Sequence, residues 1–199
     1  MLSAVDRIQK RVFDLLLSVV GITLTWWIML LAWVVATVET KSNGLFIQER
    51  VGKEGKLFHV FKIKTMKYIP GIDTTVTTHG DVRITKSGNF FRKTKIDELP
   101  QLFNVLFGTM SFVGARPDVP GFADKLEGEN RIILNLRPGI TGPASLKYKD
   151  EEELLVKQKD PKKYNKEVIW PDKVQINRAY IKEWSLKKDV EYIIKTIIG

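Results

Sequence analysis

The chain has no cysteine, which excludes disulfides and thiolate metal sites and fits a reducing compartment. Histidine is also scarce. There are only 2 in 199 residues, and His79 has no partner at metal-ligand spacing, so it reads as an ordinary loop residue. No internal repeat or low-complexity tract is present. Acidic residues are outnumbered, 23 Asp plus Glu against 32 Lys plus Arg, for a formal net charge of +9. Such a balance points to an anionic partner: nucleic acid, phospholipid head groups or a phosphorylated substrate. Nucleic acid is set aside, because no aromatic RNA-binding motif or recognition-helix pattern accompanies the charge. The length allows one domain with its own core once an apolar N-terminal segment is set apart.

That segment runs from Leu15 to Val38 without a charged residue and holds Trp26, Trp27 and Trp33. A helix over ~24 residues reaches about 36 Å, enough to cross a hydrocarbon core with some tilt. It is too long for a signal-peptide core and no small-residue cleavage site follows, so it is expected to stay attached. Arg7, Lys10 and Arg11 precede it, and Lys41, Arg50, Lys53 and Lys56 follow it. With both flanks basic, the positive-inside rule favours neither orientation. A segment that dips into one leaflet and returns keeps both flanks on the cytoplasmic side. Its bend would need freed backbone groups satisfied, with Gly21, Thr23 and Thr25 as candidates. Asp14 reads as a partner of Arg11 or of a head group, or as a simple helix-end residue.

Beyond the turn Lys41-Ser42-Asn43-Gly44, Phe46–Val51 and Leu57–Thr65 read as a hairpin across Gly52-Lys53-Glu54-Gly55. Alternation puts Phe58, Val60, Lys62 and Lys64 on one face, where two lysines can serve one anion or guard a strand edge. Tyr68–Gly80 is a loop by its Pro70-Gly71 and lack of period. A cationic stretch from Arg83 to Lys95 then leads into Asp97-Glu98. Leu99, Leu102, Phe103 and Leu106 recur at helical spacing, Gly108 stops the helix, and Pro100 is tolerated in its first turn. Asp97 at a helix start fits an N-cap as well as catalysis. Turns at Gly114 and Pro117, and at Pro138-Gly139, would hold Arg116 and Arg137 against a ligand, although Arg137 could instead satisfy helix C-terminal carbonyls. Phe122–Leu136 and Glu151–Gln158 are predicted amphipathic helices, the second ended by Pro161. Asn177, Tyr180, Ile181 and Trp184 share a face, as do Leu186, Val190, Ile193, Ile194 and Ile197. Packing in a core or lying on head groups both suit these stripes.

Ordered blocks now carry a resemblance. They are Phe13-Asp14, Gln48-Glu49-Arg50-Val51-Gly52 with Gly55, Phe61-Lys62-Ile63-Lys64-Thr65-Met66, Arg83-Ile84-Thr85-Lys86 with Gly88, Arg92, and Asp97-Glu98-Leu99-Pro100-Gln101-Leu102-Phe103-Asn104-Val105. Met110-Ser111-Phe112-Val113-Gly114-Ala115-Arg116-Pro117, Arg137-Pro138-Gly139-Ile140-Thr141-Gly142 and Tyr180-Ile181-Lys182-Glu183-Trp184-Ser185-Leu186 continue the series. In these the chain resembles the bacterial sugar transferases, also called monotopic phosphoglycosyl transferases, over nearly its whole length.

The resemblance implies an α/β fold, mostly helical with a short β-hairpin. Residues 1–40 would form a membrane-inserted, re-entrant segment, and 41–199 a cytoplasmic catalytic domain with amphipathic interfacial helices on the inner membrane of a bacterium. The implied reaction moves a sugar 1-phosphate from a UDP-sugar to polyprenol (undecaprenyl) phosphate through an aspartyl-phosphosugar, releasing UMP, as the first membrane step of surface glycan assembly. By motif match, Asp97 is the nucleophile and Glu98 its partner, with Mg2+ held by both. Lys62, Lys64, Arg83, Arg92, Arg116, Pro117, Arg137 and Thr141 would bind substrate. The implied partners are the UDP-sugar, polyprenol phosphate and an anionic bilayer, with a homo-oligomer left open.

Elementary chemistry agrees with this assignment. A carboxylate nearing a diphosphate meets about 4 kcal/mol of repulsion per charge pair at 4 Å for an effective dielectric near 20, which cations must offset. Side chains of adjacent helical residues point roughly 100° apart, so one attacks and the other positions. Two departures stand out: the chain lacks the Ser-Pro break that many members carry in the membrane segment, and Pro143-Ala144-Ser145 replaces Trp-Ala-Gln after Thr141-Gly142. A non-enzymatic basic membrane scaffold with the same fold is the competing reading.

Overall fold

The charge-free run forms the greater, C-terminal part of one helix, α1, which covers Ala4–Thr40 over 37 residues, roughly 55 Å in length. A capping box starts it: Ser3 Oγ accepts from the Asp6 amide at 3.1 Å, and the Asp6 carboxylate accepts from the Ser3 amide at 2.8 Å. The computed structural model describes residues 2–71 and 81–199, so His79 and the rest of the predicted loop over 72–80 lie outside the described residues.

One face of α1 packs on the protein along its whole length. Lys10, Asp14, Ser18, Met29, Ala32 and Ala36 are buried, while Val5, Leu16, Val20, Leu24, Trp27, Leu31 and Val38 stand exposed. The usual amphipathic order is inverted, with small or polar side chains facing the protein and large apolar ones facing out. No bend occurs at the three predicted candidates. The Thr23 and Thr25 hydroxyls donate to the Val19 and Gly21 carbonyls in helical register, and Gly21 has a different use. A Cβ there would lie 3.1 Å from Leu102 Cδ1, so the glycine lets a later helix approach α1 closely.

The hairpin forms as expected, with β1 (Leu45–Val51) antiparallel to β2 (Leu57–Ile63) and Lys62 opposite Phe46. A short α2 (Lys86–Thr94) follows, capped by Thr85 Oγ1 on the Gly88 amide, and then α3 (Gln101–Phe107). Gly108, at φ 82°, ends α3 in the left-handed conformation predicted for it. Val105 and Met110 are fully buried against Val60, each worth about 1.5–3 kcal/mol of transfer free energy. Arg11 secures the other end of α3 by donating to the Val105 and Leu106 carbonyls at 2.6 and 2.9 Å. Arg11 thus hydrogen-bonds α3 rather than Asp14, whose charge still attracts it.

A second small sheet pairs β3 (Ser111–Val113) with β4 (Gly139–Thr141) in parallel. The two backbones meet so closely that a Cβ at Gly139 would sit 2.2 Å from the Gly114 amide nitrogen. Between them, the amphipathic helix expected over Phe122–Leu136 is replaced by two stretches of 3-10 helix, Ala123–Lys125 and Gly128–Asn135. Gly128, at φ 56°, interrupts right-handed continuity, and Ile133, Leu134 and Leu136 enter the core from this tighter winding.

The C-terminal third is helical: α4 (Pro143–Lys147), α5 (Glu151–Val156), α6 (Pro161–Tyr164), α7 (Trp170–Lys182) and α8 (Leu186–Ile198). On α7, Val174, Asn177, Tyr180 and Ile181 are buried, and Val174, Tyr180 and Ile181 join Val51, Val113, Ile133 and Leu134 in the main core. Only part of the α8 stripe follows them: Ile193 packs on this core, whereas Val190, Ile194 and Ile197 are exposed. The architecture is thus mostly helical, with two small sheets and one long apolar N-terminal helix of a length compatible with membrane insertion.

Candidate active site

Asp97 and Glu98 lie in a single 3-10 turn, Ile96–Glu98, wedged between α2 and α3. Lys95 makes the junction at φ 60°, a left-handed position costing a non-glycine residue about 1 kcal/mol. Neither carboxylate caps the turn or α3, so the N-cap use of Asp97 is not realised. What fixes α3 here is Asn104, which is almost wholly buried. Its Oδ1 accepts from the Phe61 amide at 3.0 Å and its Nδ2 donates to the His59 carbonyl at 2.7 Å, tying α3 to the open edge of β2.

That tie brings Lys62 on β2 to Glu98, where Nζ donates to Oε1 at 3.3 Å. Arg116 Nη2 donates to the same oxygen at 2.6 Å. Arg116 follows β3, and β3 is held in turn by Asp14 of α1. Asp14 Oδ1 accepts from Ser111 Oγ at 3.1 Å and from the Phe112 amide at 3.0 Å. The first helix is therefore built into the positioning of the arginine.

The paired carboxylates have different surroundings. Asp97 Oδ1 is buried with no hydrogen-bond partner. Burial and the neighbouring Glu98 push the Asp97 carboxyl up, against the pull of Lys62, Lys95 and Arg92. Burial acts on Glu98 too, but Arg116 and Lys62 outweigh it and hold that carboxyl well below the usual range. Burial lowers the Lys62 ammonium, opposed first by Glu98. Asp118 is raised to about 6 by burial, in spite of Lys173, Arg50 and Arg116. Four cations (Lys62, Arg92, Lys95, Arg116) against two carboxylates leave a formal excess of two positive charges, a match for a diphosphate.

The free Asp97 oxygen beside Glu98 also suits a hard divalent cation that completes its shell with substrate oxygens and water. Among the described residues, no cluster of three or more His, Cys, Asp or Glu forms a site that the protein could fill alone.

Of the predicted substrate-binding residues, the structure brings Lys62, Arg92 and Arg116 to the carboxylates, with Pro117 next in line and its carbonyl accepting from Arg50. The others make different contacts. Lys64 leaves the strand and donates to Ser42 Oγ at 2.9 Å, so the two lysines do not share one anion. Arg83 is paired with Asp81 at 2.6 Å. Arg137 Nε donates to the Gly108 carbonyl at 2.6 Å, the helix-end contact foreseen as its alternative use. Thr141 shares a hydrogen bond with Thr196 that ties β4 to α8. In the sequence, Lys95 stood out only as the end of a cationic stretch and Asn104 only as one residue of a family block, and the burial of Asp14 was not foreseen. A polar residue inside the apolar run Leu102–Leu106 was the available signal for Asn104.

The family described as bacterial sugar transferase matches residues 5–199. The UDP-glucose:undecaprenyl-phosphate glucose-1-phosphate transferase of Klebsiella pneumoniae is 33% identical over 204 residues, covering 98% of this chain and 41% of that protein. The UDP-N-acetylgalactosamine-undecaprenyl-phosphate N-acetylgalactosaminephosphotransferase of Aeromonas hydrophila is 33% identical, covering 94% and 42%. The undecaprenyl-phosphate galactose phosphotransferase of Salmonella typhimurium is 30% identical, covering 96% and 40%. The chain spans about two fifths of the length of these relatives.

Proposed function

Because this chain belongs to the bacterial sugar transferase family, we propose that it moves a sugar 1-phosphate from a UDP-sugar to polyprenol (undecaprenyl) phosphate, with release of UMP. The observation that carries this reading is the division of labour within one turn: Glu98 is tied by Arg116 and Lys62, whereas Asp97 Oδ1 is buried and unengaged. A carboxylate oxygen free of donors and poor in water is a better nucleophile than one held by two cations.

In the first half-reaction, an Asp97 oxygen bonds to the phosphorus that bears the sugar, and the bond from that phosphorus to the bridging oxygen breaks. UMP departs with that oxygen. In the second, an oxygen of polyprenol phosphate attacks the same phosphorus and the bond to Asp97 breaks, restoring the carboxylate. Lys62, Arg92, Lys95 and Arg116 offset the repulsion between nucleophile and diphosphate. The planar guanidinium of Arg116 is half-exposed, free to exchange part of its contact with Glu98 for phosphate oxygens. Mg2+ bound by Asp97 and Glu98 would supply further positive charge at the diphosphate.

The apolar face of α1 supports a monotopic seat on the cytoplasmic face of the inner membrane, with residues 41–199 as the catalytic part. Buried positions lie near both ends of α1, Lys10, Asp14 and Ser18 toward its start and Met29, Ala32 and Ala36 toward its finish, so the same protein body packs against both. Both flanks of α1 therefore stay on one side. Cysteines placed at Ser3 and Ser42 in this cysteine-free chain should both react with an impermeant reagent from the cytoplasmic side only. Labelling from opposite sides would refute that topology.

The function itself is tested by UMP release from a panel of UDP-sugars with Mg2+ and polyprenol phosphate. Activity is expected with at least one sugar and should fall by about a thousandfold or more in Asp97→Asn. No release from any sugar would favour the scaffold reading, and full activity in Asp97→Asn would remove Asp97 as nucleophile.

A further inference from the structure

A cavity of about 50 Å³ lies away from the carboxylate turn, between the start of α1, the β1–β2 turn and the segment after α3. Its lining includes Arg7, Lys10, Asp14, Lys53, Ser111 and Arg137, four cations to one carboxylate. That volume exceeds the roughly 10–15 Å³ that a single water needs, which leaves room for a small polyatomic anion group.

The charges are unevenly committed. Lys10 is neutralised by Asp189 at 2.6 Å, and Asp14 Oδ1 is taken by Ser111 and Phe112. Lys53 reaches Glu54 at 3.1 Å, a pair with both side chains well exposed and therefore weakly held. The guanidinium of Arg7 makes no hydrogen bond or ion pair among the described residues. Arg137 uses only Nε, on the Gly108 carbonyl, leaving its two terminal nitrogens unbonded there. Two arginine forks and a loosely held lysine around this space are donors of the kind that suits a phosphate.

The position separates this cavity from the reaction. Asp97 precedes α3, whereas Arg137 sits at Gly108 beyond its far end, so the seven residues of α3, about 10 Å of helix, intervene. The turns of α1 that supply Arg7 and Lys10 also expose Val5, Ile8 and Val12. A phosphate bound here would lie beside the apolar face of α1.

We propose that this cavity is a second anion site that binds the phosphate of an anionic lipid head group and fastens the start of α1 to the β1–β2 turn. The ligand chemistry is a phosphate, so free inorganic phosphate is the other possible source, and the experiment separates the two.

Thermal unfolding of the full chain in a neutral detergent is followed with short-chain phosphatidylglycerol, short-chain phosphatidylcholine or inorganic phosphate. A ligand that binds only the folded state, at a hundredfold excess over its dissociation constant, should raise Tm by roughly 5–10 °C for a chain of this size. Phosphatidylglycerol is expected to give such a rise. The Arg7→Gln/Lys53→Gln double variant should keep its unliganded Tm and lose the rise, and Arg116→Gln should keep it. An equal rise with inorganic phosphate would support the site while assigning it to phosphate itself. The proposal is overturned by no rise with either anion, by an equal rise with phosphatidylcholine, by a rise that survives in the double variant, or by one lost only in Arg116→Gln.

Discussion

Replacing Asp14 with alanine should loosen β3 and the segment that carries Arg116 from inside the N-terminal helix. Asp14 is essentially inaccessible, and its Oδ1 holds the Phe112 amide and the Ser111 hydroxyl. Ser111 Oγ has the Val113 carbonyl at 3.2 Å as a second partner, so its loss is partly covered. The Phe112 amide has no such substitute, and a buried donor left unpaired costs about 1–3 kcal/mol. A net loss of about 2 kcal/mol follows, read as a Tm lower by roughly 4–8 °C. Asp14→Asn keeps an acceptor oxygen in the same place and should lose less than about half as much. Because β3 runs directly into Arg116, the alanine variant should also release UMP more slowly, by about tenfold for each ~1.4 kcal/mol of lost phosphate contact. Circular dichroism melting in detergent and a UMP assay measure the two effects. An unchanged Tm in Asp14→Ala, or an asparagine as damaging as alanine, would refute the reasoning.

Gly21→Leu should destabilise by about 1–3 kcal/mol through overpacking against Leu102, visible as a lower Tm; a hinge at Gly21 would instead tolerate the larger side chain. For Asp118, a folded-state value raised to about 6 means that the folded protein holds this proton more tightly than the unfolded chain, whose value is about 3.9. Stability from this group is present at low pH and is lost as pH rises from about 4 to 6. Asp118→Asn should flatten that fall in a pH series of melting curves and gain about 1–3 kcal/mol at pH 7. A fall as steep as that of the wild type would show that Asp118 is not its source.

The sequence was readable where local chemistry decides the outcome. Alternation and Gly52–Gly55 placed the hairpin, Gly108 placed the end of α3, and the missing charge placed α1. It was unreadable where a side chain acts at a distance. Asp14 looked like a residue at the edge of an apolar run, because its partners Ser111 and Phe112 lie almost a hundred positions away. Arg137 and Lys64 carry the right charge for a phosphate, but their nearest acceptors turned out to be a helix-end carbonyl and a serine hydroxyl. The Phe122–Leu136 pattern suggested a helix because apolar spacing alone cannot report the left-handed φ at Gly128. The Asp97-Glu98 pair itself was legible as a motif, while the reason for its asymmetry lies in three separate elements that bring Lys62, Arg116 and Asn104 together.

The most direct test of the central claim is the mass of the intact protein after mixing with an accepted UDP-sugar and Mg2+ in the absence of polyprenol phosphate. An added sugar phosphate on Asp97 is expected, formed with about one UMP per active chain, discharged on addition of polyprenol phosphate and absent from Asp97→Asn. UMP release that requires polyprenol phosphate from the first turnover, with no adduct at any time, would contradict it.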